Sequence, residues 1–315
     1  MKKLVSIIVG GTGQLGVCLS QELLKNNNKV IITTRSFSKK TIKIDPKVKI
    51  LKLNIYNRIQ IKNLIKKYKP DFIFYFAGQS SPGKSFFKFK ETFKSNFLGC
   101  KNFLDIIKKY KINCKFINAS SCEIYGKVKG KISLDSKKKP VSPYGKAKLK
   151  SFLLTKKYRE KFNLKSYNAI IFNTESFFRN KDYLVPKICL AAINAKKNGI
   201  ITEFGNLNIS REWNWGPEQS SYLFKFVKKK PQDFILSNGK SFTAIKMINF
   251  AFDYFNLNYK KFIKINKKFM RKKDIAKNNS NYLNCLKRNG INRISKVYGK
   301  KLIIKMIRYY LNGKY

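Results

Sequence analysis

The chain has 315 residues, 43% of them hydrophobic, with 69 Lys and Arg against 16 Asp and Glu and no histidine. That is enough apolar material for one large domain or two modest ones, and the lack of histidine excludes Ser–His–Asp and Cys–His nucleophiles as well as histidine-ligated metals. The formal charge of +53 would suit phosphate neutralisation on a nucleic acid, but the lysines are scattered through every segment, so we read it as compositional and any polyanion binding as a non-specific charge effect.

No apolar run approaches the ~18 residues of a membrane span. The opening MKKLVSIIVGG stops at a glycine pair with no small-residue cleavage site behind it, so it reads as a first strand and the protein as cytoplasmic. Cys18, Cys100, Cys114, Cys122, Cys189 and Cys285 form no CxxC pair, so buried, reduced thiols and no metal are expected.

The first strand, expected at Leu4–Val9, runs into VGGTGQLG, which opens a helix. Gly10, Gly13 and Gly16 have the GxxGxxG spacing that lets backbone N–H groups approach a pyrophosphate at a helix N-terminus. A tight strand–helix turn without a ligand has the same spacing. The strand before it and the helix after it favour a nucleotide. The second strand, Lys29–Thr34, ends in TTRSFSKK, where an NAD-binding chain places an acid for the ribose hydroxyls. Arg35 suits a 2′-phosphate instead, so NADP is the expected cofactor; the alternative is one more solvated cation.

Further strands are expected at Val48–Leu53, Asp71–Phe76, Cys114–Ala119 and Ser166–Phe172, with helical spacing between them in IQIKNLIKKY and CKNFLDIIKKY. This alternation implies βαβ units and a parallel sheet covered on both faces. NASSCEIYG (118–126) follows the fifth strand, at a carboxyl end where doubly wound sheets bind ligands. SPYGKAK (142–148) then opens a helix running to about Lys161, with Tyr144 and Lys148 four residues apart on one face. After residue 173 helical patterns dominate, with one more strand expected at Asp233–Ser237 and residues 257–273 unplaced.

A glycine loop after strand one, Ser121 after strand five and Tyr144–Lys148 on the next helix resemble the extended short-chain dehydrogenase/reductase (epimerase/dehydratase) family. FAGQSSPGKSF (76–86), SSCEIYG, SPYGKAK, FNTESFFRN (172–180), FGNLNISREW (204–213) and PQDFILSNG (231–239) are together similar to its GDP-mannose 4,6-dehydratases. The resemblance covers about residues 4–250. It implies a Rossmann-type doubly wound parallel sheet with a smaller C-terminal substrate lobe, divided as 1–172 with 214–250 for the cofactor and 173–213 with 251–315 for the nucleotide sugar.

The chemistry it implies is NADP-dependent dehydration of GDP-mannose to the 4-keto-6-deoxy sugar nucleotide. Tyr144, supported by Ser121 and Lys148, takes the C4 hydroxyl proton as hydride leaves. Glu123 removes the C5 proton, water departs across C5–C6, hydride returns to C6 and a proton to C5. Glu123 discriminates, because plain epimerases and reductases need no carboxylate there; a helix- or turn-capping carboxylate is the structural alternative. The motif matches carry Gly10, Gly13, Gln14, Leu15, Gly16, Arg35, Asn54, Ala77, Tyr144 and Lys148 to the cofactor, and Ser80, Asn173, Glu175, Lys187, Arg211 and Arg271 to the substrate.

The chain departs from that pattern at several points. Cys122 stands for a serine, Thr174 for a histidine and Asn54 for an acid near the adenine. The segment after strand two is shorter than the family's tetramer-forming one, so a homodimer is expected. Two other readings stay open: a 4-keto sugar-nucleotide reductase or epimerase of the same family, and a nucleotide- or nucleic-acid-binding protein without catalysis.

Overall fold

The computed structural model describes residues 3–37, 44–270, 275–291 and 295–313. Arg271, expected at the substrate, lies outside them.

Seven parallel strands form the central sheet: β1 (Val5–Val9), β2 (Lys29–Thr34), β3 (Lys49–Lys52), β4 (Phe72–Tyr75), β5 (Lys115–Ser121), β6 (Ser166–Ile171) and β7 (Asp233–Leu236). Their spatial order is β7-β6-β5-β4-β1-β2-β3. The seven expected strands are all present, with ends moved by one or two residues. The order reverses between β1 and β4, where a doubly wound sheet opens a crevice at its carboxyl edge.

Side chains alternate between the two faces, as a period of two requires. Ile8, Phe72, Phe74 and Ile117 join one buried cluster, completed by Leu19 and Leu23 of α1 (Gln14–Lys25) and Leu223, Phe226 and Val227 of α7 (Gly216–Lys228). Ile7, Val9, Ile73, Tyr75 and Phe116 join the opposite cluster, with Ile61 and Ile65 of α2 (Arg58–Tyr68) and Phe103 and Ile107 of α4 (Gly99–Lys109). Edge strand β3 is exposed and lysine-flanked, which blunts pairing with other chains. All six cysteines are buried and unpaired. Among the described residues no helix is long and apolar enough to cross a membrane.

The third cluster forms the C-terminal lobe from α6 (Leu184–Asn198), α8 (Ala244–Asp253) and α10 (Gly299–Asn312), closed by Trp213 and Trp215. Core packing departs from the expected division in two places. Ala244, Met247 and Ile248 pack with the lobe, because α8 turns its apolar face to α6 and α10. Tyr282, Cys285 and Leu286 of α9 (Tyr282–Arg288) pack on the sheet. In the stretch without a sequence-based assignment, Ile263–Ile265 pairs in parallel with Thr202–Phe204.

Glu212, fully buried, joins these parts. Its carboxylate accepts from the Ser280 N–H at 2.5 Å, the Ser280 hydroxyl at 2.7 Å, the Gly239 N–H at 3.1 Å and the Ser237 hydroxyl. A buried charge is tolerable only with such donors. The lone acid in FGNLNISREW gives no sequence-level hint of these partners, because they lie 25, 27 and 68 residues away.

Candidate active site

A crevice of about 1300 Å³ runs along the carboxyl edge of the sheet, from the loop after β2 to the lobe. At the switch point, Gly10 has φ +76°, and a Cβ there would stand 2.6 Å from the Ala77 Cα. Glycine is what lets the loop after β1 lie against the segment after β4. α1 begins at Gln14 with Gly13 as its N-cap, no side-chain cap and no acid in its first turn. Its leading N–H groups and positive end can therefore receive an anion. Gln14 also ties this loop to the lobe: Nε2 donates to the Thr174 carbonyl at 2.9 Å and Oε1 accepts from the Ser176 hydroxyl at 2.9 Å.

Gly10, Gly13, Gln14, Leu15, Gly16, Arg35, Asn54 and Ala77 all line this crevice. At its far end Arg35 is exposed, with Nη1 3.6 Å from Glu91 Oε1. Asn54 holds the turn beside it, its Oδ1 accepting from the Tyr56 N–H at 3.0 Å.

Mid-crevice, Ser121, Glu123, Tyr144 and Lys148 come together. Ser121 ends β5 and caps the short turn Cys122–Ile124, accepting from the Glu123 N–H at 3.3 Å. α5 (Pro143–Phe162) starts cleanly because Ser142 accepts from the Gly145 N–H at 3.0 Å and Pro143 sits in its first turn. Gly145 permits the approach of the two segments, since a Cβ there would lie 2.6 Å from the Glu123 carbonyl oxygen. Tyr144 is thereby set beside Ser121 and Glu123, and its N–H is held by the Ser85 hydroxyl at 3.1 Å.

Burial pushes the Tyr144 phenol above its usual 10; a hydrogen bond with Ser121 opposes this and the Glu123 charge adds to it. Burial lowers Lys148 from 10.5 to about 8, with Cys100 opposing. Its Nζ donates to the Ala119 carbonyl at 2.7 Å and stands 5.8 Å from the Tyr144 ring centre.

The model of the family "GDP-mannose 4,6 dehydratase" matches residues 7–293. The chain belongs to this family. Its GDP-mannose 4,6 dehydratase 2 relative from Arabidopsis thaliana is 26% identical over 290 residues, 86% of this chain and 78% of that protein. The Drosophila melanogaster enzyme is 29% identical over 271 residues, 79% and 68% of the two chains. Among solved structures, the dTDP-glucose 4,6-dehydratase DesIV of Streptomyces venezuelae, with NAD and TYD bound, superposes with a TM-score of 0.85 over 98% of both chains at 16% identity. The Thermus thermophilus UDP-glucose 4-epimerase in complex with NAD gives 0.84 at 16% identity, over 97% of this chain and 99% of that one. Membership makes the chain a hydro-lyase of a family that works with a nicotinamide cofactor.

On the lobe side of this dehydratase, Ser80, Asn173, Glu175 and Arg211 line the crevice. Arg211 is buried and its Nη1 donates to the Ser210 carbonyl at 2.9 Å. Lys187 stands apart: it does not border the crevice, and its Nζ lies 4.9 Å from the Phe204 ring centre and 4.7 Å from that of Phe269. Two aromatic faces hold the ammonium there.

Arg179 and Tyr183 are among the lining residues with no sequence-based expectation. Arg179 stacks 3.6 Å above the Tyr183 ring, and Tyr183 OH meets the Ser80 hydroxyl at 3.2 Å. The i,i+4 spacing of Arg179 from Glu175 and of Tyr183 from Arg179 was the available signal, but it is common in so basic a chain. Glu175 is buried, 3.8 Å from Arg179 Nε. Burial raises its carboxyl from 4.5 to about 7, with Arg179 opposing. The folded state therefore holds this proton more tightly than the unfolded one. The resulting stability is full below about pH 4.5 and is lost as pH rises through 7, a swing of about 3 kcal/mol. Glu175→Gln is expected to gain on wild type by that amount between pH 4.5 and 8, read from parallel urea titrations; a constant difference across the range would contradict it.

Proposed function

We propose that this chain dehydrates GDP-mannose to GDP-4-keto-6-deoxymannose with NADP, using Ser121, Tyr144, Lys148 and Glu123. The observation that carries the reading is Glu123 beside Ser121 and Tyr144 in the crevice that the glycine loop opens into.

The residues fit a dinucleotide. The Gly10–Ala77 contact leaves backbone where a side chain would fill the cradle, and the uncapped N-terminus of α1 would receive a pyrophosphate there. Arg35 at the end of β2 supports NADP over NAD. A bound nicotinamide would accept hydride from sugar C4 and give it back at C6. The crevice is also roomy enough for a nucleotide sugar beside the cofactor.

Tyr144 receives the C4 hydroxyl proton, and Ser121 hydrogen-bonds the same oxygen as it becomes a ketone. Lys148, still largely charged at neutral pH with its value at about 8, supplies positive potential next to the phenol, whose burial otherwise disfavours the phenolate. Glu123 takes the C5 proton that the new ketone acidifies and gives it to the departing C6 hydroxyl, which leaves as water; when hydride returns to C6, C5 takes back the proton that Tyr144 received from the C4 hydroxyl. Asn173, Glu175 and Arg211 border the sugar-nucleotide side, Arg211 offering a guanidinium to the diphosphate. In this reading the enzyme is cytoplasmic and a homodimer, the short segment after β2 leaving little material for a tetramer.

Purified protein incubated with GDP-mannose and NADP⁺ is expected to remove the sugar 6-hydroxyl with no net cofactor reduction, measured by mass spectrometry and absorbance. Net NADPH consumption with a 4-keto sugar, and no dehydration, would give the chain to the reductase or epimerase reading. No turnover together with RNA binding at moderate salt would make it a binding protein.

A further inference from the structure

Arg35 is not alone at the crevice end assigned to the adenosine ribose. Glu91, on the short helix α3 (Phe89–Phe93), faces it from the opposite wall, and both residues border the cavity. Glu91 Oε1 lies 3.6 Å from Arg35 Nη1 and Oε2 lies 3.6 Å from Lys88 Nζ. Tyr56 stands with them: burial raises its hydroxyl pKa, Glu91 adds to that and Arg35 opposes it. The chain has only 16 acids, and one of them sits where a 2′-phosphate would need cations.

We propose that Glu91 is a cofactor-selectivity residue that works against the 2′-phosphate, so that Arg35 gives this enzyme a weaker preference for NADP over NAD than an unopposed arginine would. The inference rests on the crevice being a nicotinamide-dinucleotide site. Two physical effects act in the same direction. Glu91 occupies part of the guanidinium that would otherwise meet the phosphate, and its own charge repels a dianion arriving between them. A ribose 2′-hydroxyl suffers neither cost and can donate to the carboxylate, the role of the acid missing from the end of β2. Because Arg35 is largely and Glu91 partly solvent-exposed, both effects are screened, and a several-fold change in selectivity is the scale to expect.

The test is binding, read by the fluorescence of NADPH and NADH titrated separately with full-length wild type and Glu91→Gln at low and at moderate salt. Glu91→Gln is expected to tighten NADPH binding about three- to ten-fold at low salt, to change NADH binding less than about two-fold, and to lose most of the gain as salt rises. An unchanged NADPH/NADH ratio, or weaker NADPH binding, would overturn the role of Glu91 while leaving the crevice a cofactor site. Wild type that binds neither cofactor would overturn the cofactor reading and this inference with it.

Discussion

Replacing Tyr144 with Phe is expected to lower dehydration about 10⁴-fold, at the upper end of what one positioned acid–base group contributes. The substitution keeps the ring that fills the space between the Cys122–Ile124 turn and α5, so the fold should survive. It removes a hydroxyl that hydrogen-bonds Ser121 and feels the Glu123 charge. Hydride cannot leave C4 without the attached hydroxyl losing its proton, and no histidine exists to take over. Lys148, four residues along the same helix, is still largely protonated at neutral pH with its value at about 8, so it cannot take the proton instead. Single-turnover mixing with NADP⁺ should show no reduced-nicotinamide absorbance, while sugar-nucleotide affinity stays within about three-fold, because the lost contact acts on the transition state. A loss below ten-fold would remove Tyr144 from the proton path.

Much of the sheet was readable because each strand is a short apolar run closed by a glycine, a proline or a polar cluster. FIFY and VSIIV cannot face water on either side, so a covered parallel sheet follows from them. The crevice was readable for the same reason: Gly10, Ser121, Tyr144 and Lys148 follow strands at a doubly wound sheet's carboxyl edge. What escaped depends on contacts across long separations. Lys187 reads as a diphosphate cation from its motif, yet Phe204 and Phe269 claim it from two distant segments. α8 reads as a continuation of the cofactor domain, and only the apolar faces of α6 and α10 draw it into the lobe. Glu91 sits in FKETF, a surface-helix pattern with no local mark that it faces Arg35 across the crevice.

Two carboxylates reach the reacting part of the crevice, and only one can be the base that removes the C5 proton. Burial raises the Glu175 carboxyl to about 7, which on pKa alone would suit a base at neutral pH. Geometry argues the other way. Glu175 is buried and paired with Arg179, whereas the Tyr144 phenol responds to Glu123, and we therefore propose Glu123 as the base at C5. Glu123→Gln keeps the shape of the side chain and the Ser121–Tyr144 contact while removing the ability to accept a proton. It is expected to slow dehydration about 10³-fold while C4 oxidation proceeds, so that reduced cofactor accumulates during a single turnover and the 4-keto sugar retains its 6-hydroxyl. Exchange of the C5 hydrogen with deuterated solvent should fall by the same factor. Glu175→Gln, in contrast, should exchange that hydrogen at a rate within ten-fold of wild type. If Glu123→Gln eliminates water at the normal rate, or if the exchange loss belongs to Glu175→Gln instead, the C5 base is the buried acid of the lobe and the assignment made from the Ser–Cys–Glu turn is wrong.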